Sequence, residues 1–171
     1  MAVNGDVTLD QMNVEARVRL IDALENKGAH LSFEEAVDGF PERLMNVKPP
    51  HVPYTFWHQL EHMRRTQADM LSYIQDPKYV SPEWPRDYWP ARNEETNHEG
   101  WARTIRDYLA DHAAFVELVG NPELNLLAPV IHMGNRSVLR STLIVVDHTA
   151  YHLGEFVMAR QILGAWKSEL E

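Results

Sequence analysis

The chain has 171 residues, 44% of them apolar, and no cysteine. This length and apolar content suit one domain with a real core and argue against disorder. The lack of thiols excludes disulfide scaffolds, cysteine-ligated zinc or iron–sulfur centres and cysteine nucleophiles. Sixteen basic against 25 acidic residues leave a net charge of -9, which disfavours nucleic acid as a partner, and no basic stripe or zinc-finger spacing offsets it.

Residues 1–9 lack the basic start and apolar core of a signal peptide. No run approaches the roughly 18 apolar residues of a membrane span. The expectation is a soluble, cytoplasmic protein that does not engage a membrane.

A first long helix is predicted from a cap at Thr8 or Asp10 to about Lys27, with Met12, Val14, Val18, Ile21 and Leu24 at roughly helical period and Gly28 as its stop. Ser32 followed by Glu35 is a capping-box pattern that opens a short helix through Ala36 and Val37, broken near Gly39 and Pro41. After the connection marked by Pro49, Pro50 and Pro53, a second long helix starts near Pro53 or Thr55 and runs to about Gln75. Its apolar stripe holds Phe56, Leu60, Met63, Met70 and Leu71, and Asp76-Pro77 ends it. From Pro77 to Arg92 a proline-rich segment with Tyr79, Trp84, Tyr88 and Trp89 reads as a long irregular cover over the helices.

A third long helix is predicted from Glu94 or Glu95 to Val119, with Trp101, Ile105, Leu109, Phe115 and Leu118 as core candidates and Gly120-Asn121-Pro122 as its stop. A loop with local turns follows over Asn125–Asn135. The fourth long helix spans about Ser137–Leu163 and ends at Gly164. Gly154 inside it costs roughly 1 kcal/mol against alanine, which a close helix crossing there would explain. Strand signals are weak and there is no internal repeat. The prediction is an all-α, four-helix bundle over residues 1–171 as a single domain, with a long crossover connection between the second and third long helices.

Two helices carry histidine pairs at i and i+4: His58 and His62 on the second long helix, His148 and His152 on the fourth. Such residues share a helical face, one turn apart. If the two faces meet inside the bundle, three or four imidazoles converge. Neutral imidazoles favour zinc, nickel, iron or cobalt over magnesium or calcium. Three protein ligands leave positions open, the catalytic rather than the structural pattern. Spacing leaves open which of His58 and His62 joins the other pair. The glutamate of His-Glu-x-x-His is missing, so protease chemistry is not supported.

Other residues are secondary. Asp147 points about 100 degrees around the helix from His148. Glu155, three residues beyond His152, is placed to orient an imidazole or handle a proton, with an ordinary salt bridge as the simpler reading. His58 and Glu155 are the candidate catalytic residues. His30 and His51 lie in or near turns that could border a pocket, and His98, His112 and His132 show no converging pattern. Arg140 and Arg160 could meet an anionic substrate, although solvated or paired arginines are commoner. Gly-rich phosphate loops are absent.

The stretches Pro53-Tyr54-Thr55-Phe56-Trp57-His58-Gln59-Leu60-Glu61-His62 and Asp147-His148-Thr149-Ala150-Tyr151-His152-Leu153-Gly154-Glu155 resemble the DinB-like superfamily, also called DinB/YfiT-like metalloenzymes. The tryptophan-rich region Tyr79–Pro85 and the terminal Leu163-Gly164-Ala165-Trp166 add to the likeness, which spans essentially the whole chain. The resemblance implies a four-helix bundle with an unusual connection order and a divalent metal ion (Zn, Ni or Fe) held by three histidines, which map to His62, His148 and His152. His58 falls outside that pattern. Several relatives are transferases or isomerases that use a low-molecular-weight thiol, and dimers are common among them.

The functional expectation is a metal-dependent enzyme acting on a small-molecule substrate, in the form of a thiol-dependent transferase, with a homodimer as its assembly. A metal-dependent hydrolase is the alternative enzyme reading. A metal-stapled structural protein or an unmetallated interaction module are the readings without catalysis.

Overall fold

The computed structural model describes residues 8–25, 27–130 and 136–166. Five α-helices follow in chain order: α1 (Leu9–Leu24), α2 (Phe33–Val37), α3 (Phe56–Gln75), α4 (His98–Gly120) and α5 (Val138–Ile162). The described residues hold no strand, only one isolated bridge between Pro129 and Ser137. No helix among them is long and apolar enough to cross a membrane. The four long helices form the bundle. α3 packs on α4 and α5, and α1 packs on the same two helices, so the chain crosses the bundle between α1 and α3 and again between α4 and α5. The long connection expected as the crossover, between the second and third long helices (α3 and α4), instead joins neighbours.

Side-chain caps decide where the helices start. The Thr8 hydroxyl accepts from the Gln11 N–H (3.2 Å) while the Gln11 carboxamide accepts from the Thr8 N–H (2.9 Å). Ser32 and Glu35 make the same reciprocal pair at α2. Thr55 and Ser137 cap α3 and α5. α4 starts at His98 rather than at Glu94 or Glu95, because the Asn97 side chain accepts from the Gly100 N–H at 2.9 Å. α1 stops at Leu24, short of Lys27.

The apolar stripe expected on α1 is only partly used. Leu20 and Leu24 are buried and Ile21 half-buried, whereas Met12, Val14 and Val18 are exposed, because α1 packs through its C-terminal half. Most of the buried apolar side chains fall into two clusters. One joins Phe33 and Ala36 with Phe56, Leu60 and Met63 of α3, Trp101 and Tyr108 of α4, and Phe156 of α5. The other gathers Leu20, Leu24, Leu71, Phe115, Val119, Val138 and Val145. Along α3 and α5 the changeover between clusters falls over residues 64–69 and 148–152. There the packing turns polar: the Gln67 carboxamide donates to the Tyr108 carbonyl (2.8 Å), and the Tyr108 and Thr149 hydroxyls bond at 3.3 Å.

Arg160 is buried and locks the end of α5. Its guanidinium donates to the carbonyls of Ala36 (2.5 Å), Asp38 (3.1 Å) and Ala165 (3.0 Å) and lies over Phe40 and Trp166. With its donors so engaged, it holds the fold together rather than waiting for an anionic substrate. Gly154 also departs from expectation: it is exposed, and a Cβ there would meet nothing within 4 Å. No helix crosses at that point. Gly154→Ala should therefore raise unfolding free energy by about 0.5–1 kcal/mol in a urea titration, by reducing the freedom of the unfolded chain.

Candidate metal centre

α3 and α5 bring three imidazoles together. His62, His148 and His152 each offer a ring nitrogen, and these atoms all lie within 4.8 Å of one another. His62 and His152 are buried and His148 is half-buried. The Nε2 atoms of His62 and His148 are 3.0 Å apart. Donors on a tetrahedral ion with bonds of 2.0–2.1 Å are separated by about 3.3 Å, so the present spacing is close to that of two ligands of one ion.

The opposite nitrogens are already committed. His62 Nδ1–H donates to the Tyr88 carbonyl (3.0 Å), which places the Nε2 lone pair on the side of His148. His148 Nε2–H then donates to that lone pair. His152 Nδ1–H donates to Glu155 Oε2 (2.8 Å), leaving its Nε2 as the free donor atom. A carboxylate and a carbonyl behind two imidazoles is the arrangement that orients metal-binding histidines. Glu155 is itself held: its Oε2 also accepts from the Tyr54 hydroxyl and the Gln59 carboxamide, both at 3.1 Å. Burial, together with Glu155, pushes the Tyr54 hydroxyl up to about 12, so it stays a donor.

Aromatic rings wall the cluster. Trp89 stacks flat on His62, with centroids 3.8 Å apart and planes 8° from parallel, and Tyr54 lies against Trp89. Trp84, 64% exposed, sits at the rim with its ring 6.4 Å from that of His62. Tyr151 lies edge-on to His152. The segment from Tyr79 to Arg92 thus covers the histidines as well as the helices.

Burial keeps the imidazoles neutral. It is the main cause pushing His62 down to about 4 and His148 to about 3, and the neighbouring histidines push His148 further. His152 is lowered by burial too, partly offset by Glu155. The His152–Glu155 contact is therefore a neutral imidazole donating to a carboxylate rather than an ion pair. Between the ordinary value near 6.5 and these lowered values, the unfolded chain binds protons that the folded chain refuses. The stability of the metal-free protein is fully present above about pH 6.5 and declines as pH falls toward 4 and 3. The urea midpoint should drop between pH 7 and pH 5, and less steeply in His148→Leu. A flat profile would contradict neutral burial of the cluster.

The other histidines lie elsewhere. His58 is buried, but its Nε2–H donates to the Glu94 carbonyl (2.8 Å) and its ring lies against Trp57, so it secures the start of the α4 approach and does not join the cluster. His30 and His51 are exposed, and His98 pairs with Glu42 at the surface. His112 Nε2–H donates to the Leu24 carbonyl. His132 is outside the described residues.

Several contributors escaped the sequence reading. The Tyr88 carbonyl carries no side-chain signal, and the stacking of Trp89 depends on a loop path that no periodicity encodes. Gln59 and Arg65, each three residues from His62 on the same helical face, were accessible to a spacing argument.

The sequence matches the DinB superfamily over residues 29–156, well over half of the chain and including all three clustered histidines. No curated protein and no solved structure matches it. Helical architecture, histidine cluster and sequence match agree, and the chain belongs to the DinB superfamily.

Proposed function

We propose that this protein is a metal-dependent enzyme that binds a divalent transition metal through His62, His148 and His152 and acts on a small molecule as a thiol-dependent transferase. The observation that carries the reading is the convergence of three neutral imidazoles, two with their outward nitrogens tied to Tyr88 and Glu155. Nitrogen donors of this kind suit zinc, nickel or iron(II) better than magnesium or calcium. Such an ion supplies Lewis acidity, lowering the pKa of a coordinated thiol or water.

The chain's own residues supply the rest. Glu155 holds the His152 ring at a fixed angle, and Tyr54 and Gln59 hold Glu155. Trp89 shields one face of His62 from water. The chain has no cysteine, so the thiol arrives as a co-substrate.

Metal content after reconstitution of untagged protein with zinc or nickel tests the first part. One ion per chain is expected, and none would overturn the reading. Thiol consumption with a panel of small electrophiles tests the second part, and it should require the metal. Turnover that needs metal but no thiol would replace transfer with hydrolysis. Metal without exchangeable positions or turnover would make the ion a staple. Glu155→Ala should weaken zinc binding by about 10- to 100-fold without loss of helicity, measured by competition with a chromophoric chelator.

A further inference from the structure

His62, Arg65 and Asp69 stand at i, i+3 and i+7 on α3, one stripe along its surface. All three grip the same turn of the covering loop. Arg65 Nη1 donates to the carbonyls of Asp87 (3.2 Å) and Trp89 (3.1 Å), and His62 takes the Tyr88 carbonyl between them. Two side chains thus engage three successive carbonyls. Asp69, 4% exposed, accepts from the Tyr88 hydroxyl at 2.7 Å. Arg65 is steadied in turn by Glu61, whose Oε1 accepts from its Nε at 2.9 Å.

We propose that Arg65 and Asp69 are positioning residues of the metal centre: by seating the Asp87–Trp89 turn on α3 they keep the Tyr88 carbonyl on His62 Nδ1, and so keep the Nε2 lone pair of His62 aimed at its partners on α5. A loop that only had to be tied down would gain as much from apolar packing. Arg65 instead imposes direction on the carbonyls either side of the one that orients His62, and the buried Asp69 carboxylate fixes the side chain of the residue that carries it. The same seating brings Trp89 onto the His62 ring. The inference rests on His62 being a ligand, but its effect on the imidazole can be read without any metal.

The test uses the full chain with Arg65→Met, Asp69→Leu, Tyr88→Phe and the conservative Asp69→Asn. Long-range proton–nitrogen spectra of the metal-free protein report the His62 tautomer, and cobalt(II) titration reports affinity. The expected result is a single Nδ1–H tautomer in the parent and in Asp69→Asn, and a tautomer mixture in Arg65→Met and Asp69→Leu. Cobalt affinity should fall about tenfold in the latter two and stay near the parent's in Asp69→Asn. Variants with unchanged circular dichroism that keep the single tautomer and the parent's cobalt affinity would overturn the proposal. If Asp69→Leu does not fold, Tyr88→Phe, which removes one hydroxyl, decides in its place. A parent that takes up no cobalt would defeat the metal reading alone, and the tautomer comparison would still decide this one.

Discussion

Replacing His62, His148 or His152 with alanine should each lower zinc affinity by more than about 100-fold, a larger effect than loss of a residue behind a ligand. Each ring supplies one of three nitrogens lying within 4.8 Å of one another. Two nitrogens chelate an ion far more weakly than three, so loss of any one of these rings should remove most of the affinity. His58→Ala should leave zinc affinity unchanged, since its Nε2–H is committed to the Glu94 carbonyl. The same set should show in stability: at a free zinc concentration 100 times the dissociation constant, the parent gains about 2.7 kcal/mol, and the three ligand variants gain almost nothing. Competition titration and thermal unfolding with and without zinc check both statements. Parental affinity in any one of the three variants would remove that residue from the ligand set.

Arg160→Met should destabilise the protein by about 3 kcal/mol while leaving zinc affinity intact. The substitution keeps apolar bulk between Phe40 and Trp166 but strips the donors from the carbonyls of Ala36, Asp38 and Ala165. An acceptor left unsatisfied in a buried place costs about 1–3 kcal/mol, and water reaching the terminal turn offsets part of that sum. For a domain of this size the melting temperature should fall by roughly 10 °C. A stable variant that had lost zinc binding would show that Arg160 serves the site rather than the fold.

The two results separate functions that look alike in the chain. Arg160 and Arg65 are both buried or half-buried arginines donating to backbone carbonyls. One closes the end of α5 against α2. The other holds the loop that carries the carbonyl behind His62. Only distance from the histidines tells them apart, and sequence does not report distance.

Local signals carried much of the fold. Thr8, Ser32, Thr55 and Ser137 all cap helices where a hydroxyl precedes an apolar run. Caps act over three residues, so they are legible in a linear string. The misplaced start of α4 has the same origin: Asn97 competes with Glu94 and Glu95, and only side-chain geometry selects among them. Met12, Val14 and Val18 show the opposite limit. Their period is helical, yet they are exposed, because period reports a face and not whether anything covers it.

By itself the sequence determined the all-α class, the extents of α3 and α5 to within a few residues, and the two i, i+4 histidine pairs. These depend on spacing and on contacts within one or two turns. Tertiary structure decided that His62 and not His58 meets the pair on α5, that the Tyr88 carbonyl and Trp89 close over it, and that Gly154 faces outward. Each of those depends on how α3, α5 and the covering loop sit in space. Packing of the whole core sets that rotation and approach, and no short window of residues contains it.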